Sequence, residues 1–356
     1  MPEGFPNSGH SKKNMKHRTI IILTAIFSIA IFRSPWFNGT VTIQPAWGGT
    51  GDEIDYRYEM EQFVAAIAAR ARAKNPKFGI FAQNASELGT DPDYVSVLTG
   101  IGQEDLYYGY NRDGQATPSW ITQELETNLD CFKASGKLVL SVDYPFKNRN
   151  TPKFDSKSIR KIDKAYQKSL SKGYVPYATV RNLNYLVVNP GHEPLPNEPP
   201  ITDWNQVTEW AYQLQPSWDQ KRVSFLHDLG DSKFDLIVID YSFDGSEDTE
   251  FTPVEITSLK NSLKGKVISY LSIGEAEDYR WYWQDEWDAN HDGKPDLSAP
   301  EWLDIENLDW PGNYKVHYWD SGWQEIIFAY LDKILAQGFD GAYLDLIDVY
   351  EYYEGQ

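Results

Sequence analysis

Cysteine is all but missing from this 356-residue chain, and the one copy, Cys131, excludes an intrachain disulfide framework and any cysteine-rich metal site. Cations are also scarce: 33 Lys and Arg stand against 52 Asp and Glu, for a formal charge of -19. That balance argues against nucleic acid and anionic membrane surfaces as partners, since both require Lys/Arg patches. No Gly-rich phosphate loop and no cluster with catalytic-metal spacing is present, so no cofactor is expected. A comfortable membrane span is missing as well. The mostly apolar run Thr19–Phe32 is short; it follows Lys12, Lys13, Lys16, His17 and Arg18 and ends at Arg33. Residues 1–33 therefore read as a signal peptide, or as an uncleaved anchor through 19–32, because RSPWFNGT holds no obvious small-residue cleavage site. The product is expected outside the cytoplasm: secreted, periplasmic, or membrane-anchored facing out. Residues 34–53, rich in Gly, Pro and Trp without periodicity, read as a linker. Sequons stand at Asn38 and Asn84.

Aromatics, by contrast, are plentiful, with 13 Trp and 23 Tyr. An accessible aromatic face packs against the apolar C–H face of a sugar ring, although most such residues serve a core. The length suits one large α/β barrel or two smaller domains. Apolar periodicity predicts helices over Tyr58–Lys74, Ser119–Ala134, Asp155–Ser171, Pro253–Leu263 and Gly322–Gln337. Strands are predicted over Phe78–Gln83, Val97–Glu104, Lys137–Val142, Trp210–Leu214, Phe234–Asp240 and Lys266–Ile273, with Tyr174–Leu186 extended and Val316–Trp319 a short strand. The run GFDGAYLDLID, Gly338–Asp348, reads as a last buried strand. Asn189–Pro200 holds five prolines and marks a stiff linker, and 278–312 are aromatic and irregular.

Eight strands, most separated by helices, predict a single (β/α)8 TIM barrel over 54–356. The chain opens this barrel on a helix and ends it on a strand. Both deficits vanish if Tyr58–Lys74 packs after the last strand, so that the barrel closes with its termini in adjacent positions.

Polar groups at strand ends are the candidate site, because a parallel barrel does its chemistry at the carboxyl ends of its strands. Asp345 and Asp348 end the last strand, and from spacing alone Asp345 is as much a helix cap as a catalyst. Asp240 and Tyr241, Glu275, Glu277 and Arg280, Gln83 and Asn84, Asp143 and Tyr144, and Tyr108 end others and are expected to bind substrate. For Glu277 and Arg280 the plainer reading is an i, i+3 ion pair. In DANHDGKPD, the residues Asp288, Asn290, Asp292 and Asp296 have the spacing of a calcium loop, but position twelve is Ala299 instead of the bidentate glutamate. A structural calcium or an ordinary solvated turn both fit that stretch.

Several long motifs carry a resemblance: SYLSIGEAEDYRWYW, WLDIENLDWPGNYKVHYWD, GFDGAYLDLIDVYEYYE, FGIFAQNASEL, GIGQEDLYYGYN, GKLVLSVDY and GYVPYATVRNL. They resemble the endo-α-1,4-polygalactosaminidase-like barrels, glycoside hydrolase family 114 and the related family 166. The resemblance implies a circularly permuted barrel, with 54–186 as the C-terminal half of the family order and 204–356 as its N-terminal half, joined by the Pro-rich 187–203. It also implies an endo-glycosidase cleaving galactosamine-containing polysaccharide. Because one chain holds all eight units a monomer is expected, the alternative being two chains that complete each other's barrels by swapping. By motif, Asp345 matches the family's strand-end aspartate, and Glu104 of GIGQEDLYYG matches the glutamate about two βα units later. Most glycosidases use two carboxyl groups, one to protonate the leaving oxygen and one as nucleophile or base. The expected division makes Asp345 the nucleophile or stabiliser and Glu104 the general acid/base. A non-catalytic carbohydrate-binding barrel and a cell-envelope pseudoenzyme are the alternatives.

Overall fold

The computed structural model describes residues 54–196 and 198–356; the expected leader, the 34–53 linker and the Asn38 sequon lie outside them. Eight strands form one parallel sheet: β1 Gly79–Gln83, β2 Gly100–Glu104, β3 Leu138–Asp143, β4 Val175–Ala178, β5 Trp210–Tyr212, β6 Leu236–Ile239, β7 Lys266–Ser272 and, last in the chain, β11 Gly341–Asp345. Between β7 and β11 lies a small antiparallel sheet of β8 Glu275–Glu277, β9 Leu303–Glu306 and β10 Asn313–Val316. The helices are α1 Tyr56–Lys74, α2 Pro92–Val97, α3 Ser119–Ala134, α4 Ser156–Ser171, α5 Arg222–Asp231, α6 Pro253–Leu263, α7 Ser321–Gln337 and α8 Tyr350–Glu354. Local chemistry sets their ends. Thr252 and Glu255 close a capping box over α6, with Pro253 in its first turn, and Gly338 stops α7 in the left-handed region.

The strand order is β4-β3-β2-β1-β11-β7-β6-β5, so the last strand of the chain pairs with the first, Gly79 opposite Gly341 and Phe81 opposite Tyr343. The missing helix is supplied as expected from the deficits. Arg70 of α1 binds Asp332 of α7 at 2.8 Å, Phe63 meets Phe328 edge-on at 6.1 Å, and Arg57 lies over the Tyr350 ring of α8. β4 and β5 make no ladder. Their seam is closed by the Trp210 indole N–H donating to Val175 O at 2.9 Å, and by Leu214 N donating to Leu183 O at 2.8 Å. This is a nearly closed α/β barrel of the TIM type.

Four local expectations change. The extended 174–186 narrows to β4, because the chain turns beyond it with Leu183 at φ 48°. The strand expected at Val316–Trp319 is instead the end of β10 and a turn, in which Asp320 caps α7. The strand expected from Val97 begins at Gly100, after α2, whose N-terminus Asp91 caps. α5 was not foreseen; only Phe225, Leu229 and Gly230 of it are buried, too few to mark a period.

Strand alternation sends Tyr343 and Asp345 inward with Gly341, and register adds Phe81 and Gln83, Gly102 and Glu104, and Tyr270 and Ser272 from neighbouring strands. Tyr343 meets Tyr212 at 5.2 Å and Trp210 at 6.3 Å in the barrel centre. Trp204 packs edge-on against Phe81 and donates to Lys77 O, plugging the end away from the site. Gly102 makes room for this packing. A Cβ there would fall 1.6 Å from the Tyr343 hydroxyl oxygen and 2.8 Å from Gln83 Oε1. Gly102→Ala is therefore expected to displace Tyr343 and to destabilise the barrel by about 1–3 kcal/mol, as overpacked cores do. A denaturant midpoint equal to wild type would contradict that packing.

Candidate active site

Asp345 and Glu104 end β11 and β2, which lie two positions apart with only β1 between them. Both point inward by alternation, and both are partly exposed at the carboxyl-end mouth. Each is followed, as is the end of β1, by a residue forced left-handed: Leu346 at φ 61°, Asp105 at φ 58° and Asn84 at φ 58°. Non-glycine residues held there cost energy and cluster at functional sites. Here the turns bend the chain away from the rim and leave the strand-end side chains standing over the mouth.

The Asp345 carboxyl is pushed well above its usual range, by burial first and then by the negative charges of Glu104 and Asp348. Hydrogen bonds from Leu346 N–H and the Tyr270 hydroxyl oppose that rise only in part. Glu104 is held on several sides. Tyr144 donates its hydroxyl to Oε1, the Asn84 amide donates to Oε2 at 3.4 Å, and Glu104 N donates back to Asn84 Oδ1 at 3.1 Å. Gln103 donates to Asn84 Oδ1, fixing the amide's orientation, while Gln83 accepts from the Tyr343 hydroxyl. The Asn84 sequon side chain is thus committed to the site.

Tyr212, Tyr270 and Tyr343 floor the mouth. All three are buried, and their phenols are pushed up by burial and by the charges of Asp345 and, for Tyr212 and Tyr343, Glu104. Sequence reasoning missed them because each sits in an apolar strand run and reads as core. It also missed Arg181, in the loop after β4, which lies over the Tyr144 ring at 4.0 Å.

The other expected residues divide. Asp348 joins the pair, its carboxyl pushed up to about 7 by burial, then by Glu351, Glu104 and Glu87. Asp240, Arg280 and Glu277 instead form a buried ion network. Arg280 is bidentate to Asp240 at 3.0 and 2.7 Å and binds Glu277 at 2.6 Å, so the i, i+3 pair exists and holds β6 to β8. Tyr241 faces the helical layer beneath Tyr330 at 4.6 Å. Glu275 is buried in β8, accepts from Asn307 at 2.8 Å, and is pushed up by burial. Asp143 is buried too, pushed up to about 7 by burial, and uses Oδ1 to accept Tyr107 N and Tyr108 N. It ties down the β2–α3 loop, and Tyr108 lies with Tyr107, Lys164 and Lys168 on a separate cavity of about 410 Å³. In the 288–296 turn the carboxylates face backbone N–H groups. Asp288 accepts from Asp292 and Gly293, Asp292 from Lys294, Asp296 from Ala289, and Asn290 from Asp292. Among the described residues no group of three or more His, Cys, Asp or Glu could hold a metal ion.

Above the mouth, Arg149 from the loop after β3 lies 5.5 Å from the ring centroid of half-exposed Trp310, at the tip between β9 and β10. That tip belongs to the insertion after β7, four positions round the barrel from β3, so the contact arches across the opening.

Residues 192–356 match the glycoside-hydrolase family GH114. Asp345 lies inside the matched segment and Glu104 outside it. The chain is 48% identical over 145 residues to the uncharacterized protein MJ1477 of Methanocaldococcus jannaschii, covering 40% of this chain and 37% of that protein. An uncharacterized protein of Thermotoga maritima is 46% identical over 145 residues, covering 40% of each. The chain thus spans less than half the length of these curated relatives. Among solved structures, it is similar to Aspergillus fumigatus Ega3 in complex with galactosamine, at 21% identity and TM-score 0.27, over 40% of this chain and 45% of that one.

Proposed function

We propose, from the match of residues 192–356 to glycoside-hydrolase family GH114, that the chain cleaves galactosamine-containing polysaccharide internally, with Asp345 and Glu104 as the catalytic pair. The observation that carries the proposal is the pairing itself: two inward carboxyl groups, two strands apart, over one tyrosine floor, one of them raised by the other's charge. Glycoside hydrolysis needs one carboxyl that keeps its proton and a second that does not. In this proposal Asp345, whose carboxyl is raised by burial and by the charge of Glu104, is the general acid. Glu104, gripped by Tyr144 and Asn84, is the nucleophile or base, the reverse of the division expected from sequence. A mouth ringed by Asp345, Glu104 and Asp348 suits a partly deacetylated, cationic chain, and Trp310 offers an aromatic face across it.

The half at 54–186 corresponds to the second half of the family order, so the chain is a permuted member, consistent with β11 pairing to β1. One chain supplies all eight strands, which supports action as a monomer. Export rests on the basic and apolar N-terminal pattern; among the described residues no helix is long and apolar enough to cross a membrane. The test is release of internal oligosaccharides from an α-1,4-galactosamine polymer. Wild type is expected to shorten the polymer and the Asp345→Asn, Glu104→Gln double variant to leave it intact. A folded wild type that binds the polymer without cutting it would instead make this a carbohydrate-binding barrel.

A further inference from the structure

Arg181 is the cation built most tightly into the rim beside Glu104. Its fork binds the Asp105 carboxylate with both ends, Nη1 to Oδ2 at 3.1 Å and Nη2 to Oδ1 at 2.7 Å. Nε donates to Asp113 at 2.7 Å, and Nη2 also reaches Gly109 O at 3.1 Å. Gly109 is required for this arrangement: its φ is 129°, and a Cβ there would lie 1.9 Å from Asp105 Oδ1 and 2.7 Å from Arg181 Nη2. The guanidinium meanwhile covers the Tyr144 ring at 4.0 Å. Two routes then lead from one side chain to Glu104. Through the backbone, the fork pins Asp105, the left-handed residue that directly follows Glu104. Through the ring, a cation on the π face draws electron density from Tyr144 and strengthens the hydroxyl that donates to Glu104 Oε1.

We propose that Arg181 is a positioning residue for Glu104, fixing its carboxylate through Asp105 and Tyr144; this rests on the glycosidase reading above. Arg181 does not touch the reacting atoms in this role. It sets where Glu104 stands and supplies positive charge beside it. The titratable groups that act electrostatically with Glu104 are Asp345, Asp348, Asp105, Tyr144, Tyr212 and Tyr343. All of these are acids, and Arg181 offsets two of them directly, Asp105 and Tyr144. Lysine cannot replace it, because a point charge lacks the planar fork.

The experiment compares Arg181→Met and Arg181→Lys with wild type. Arg181→Met is expected to lower kcat by about 10–100-fold, the scale of a misplaced catalytic group, with KM within about 3-fold. The acidic limb of its kcat/KM profile moves to higher pH, since loss of a neighbouring cation disfavours an ionised carboxyl. Arg181→Lys keeps that limb near its wild-type position but regains only part of kcat. Carboxyl carbon NMR, with the Glu104 resonance assigned by Glu104→Gln, follows the same titration without substrate and monitors folding. If Glu104 titrates identically in wild type and folded Arg181→Met, the proposal fails whether or not polymer is cut. If the titration moves while wild type cuts no polymer, the positioning stands and the glycosidase reading falls. Should Arg181→Met not fold, Arg181→Lys carries the test: full wild-type kcat there overturns the need for the fork.

Discussion

Asp345→Asn is expected to lose about 1,000-fold in kcat on galactosamine polymer, within the usual range for removing a general acid, and to recover most of it on an aryl α-galactosaminide with an acidic phenol. A good leaving group departs without protonation, so the acid becomes dispensable. Glu104→Gln is expected to lose a comparable factor on both substrates, since no leaving group substitutes for a missing nucleophile or base; added azide then restores turnover on the aryl substrate. The Asp345 carboxyl is pushed up by burial and by Glu104. Such a pair titrates as a unit, and removing Glu104's charge should lower the pKa of Asp345, visible by carboxyl NMR in Glu104→Gln. If Glu104→Gln keeps its aryl activity while Asp345→Asn loses it, the roles are those expected from sequence, and the proton lies on Glu104 when substrate is bound.

Much of the barrel was legible in the residues. α3 and α6 have the predicted bounds because Pro118, Pro253 and the Thr252–Glu255 box punctuate them. The position of β11 between β1 and β7 followed from a simple imbalance, a helix without its strand and a strand without its helix. The small sheet did not follow. β8 and β9 lie in a stretch of Trp, Asp and Gly with no alternation, and β9 has only one fully buried residue, Leu303, so no period-2 signal exists. β10 was half visible: it alternates, but its end was placed three residues late.

The candidate site was legible as strand-end acids and illegible in what holds them. Asp345 and Glu104 stand at strand ends within long motifs, and topology brings them to one mouth. Asp240 and Glu277 occupy equivalent-looking strand ends, yet they are closed off by Arg280, across 40 residues in the case of Asp240, a partnership that no local spacing encodes. Tyr241 was expected at the mouth because it follows Asp240, but one step along the chain reverses the face, and it lies under Tyr330. Asp143 looks like its neighbours in sequence and is instead spent on two backbone N–H groups. Strand ends place acids; the partners that release or retain them come from elsewhere in the chain.

Arg280→Met is expected to cause the largest loss of stability among the substitutions considered. The Arg280 side chain is 1% exposed, and its partners Asp240 and Glu277 are 7% and 2% exposed. Removing the cation leaves two buried carboxylates uncompensated, a change that typically costs about 3–5 kcal/mol. At about 2 °C or more per kcal/mol for a domain of this size, the melting temperature should fall by roughly 6–15 °C. The deficit should also depend on pH, and its sign is fixed. Without Arg280, the folded state relieves the two charges by binding protons that the unfolded chain has already released. Stability of the variant relative to wild type therefore falls as pH rises above the ordinary carboxyl range, and recovers on acidification. Melting curves at pH 4.5 and 7.5 read this directly. A deficit of equal size at both values would mean that lost packing against Tyr241, Tyr279 and Tyr330, which the guanidinium also contacts, outweighs the charge. No deficit at all would mean that the network is dispensable to the barrel.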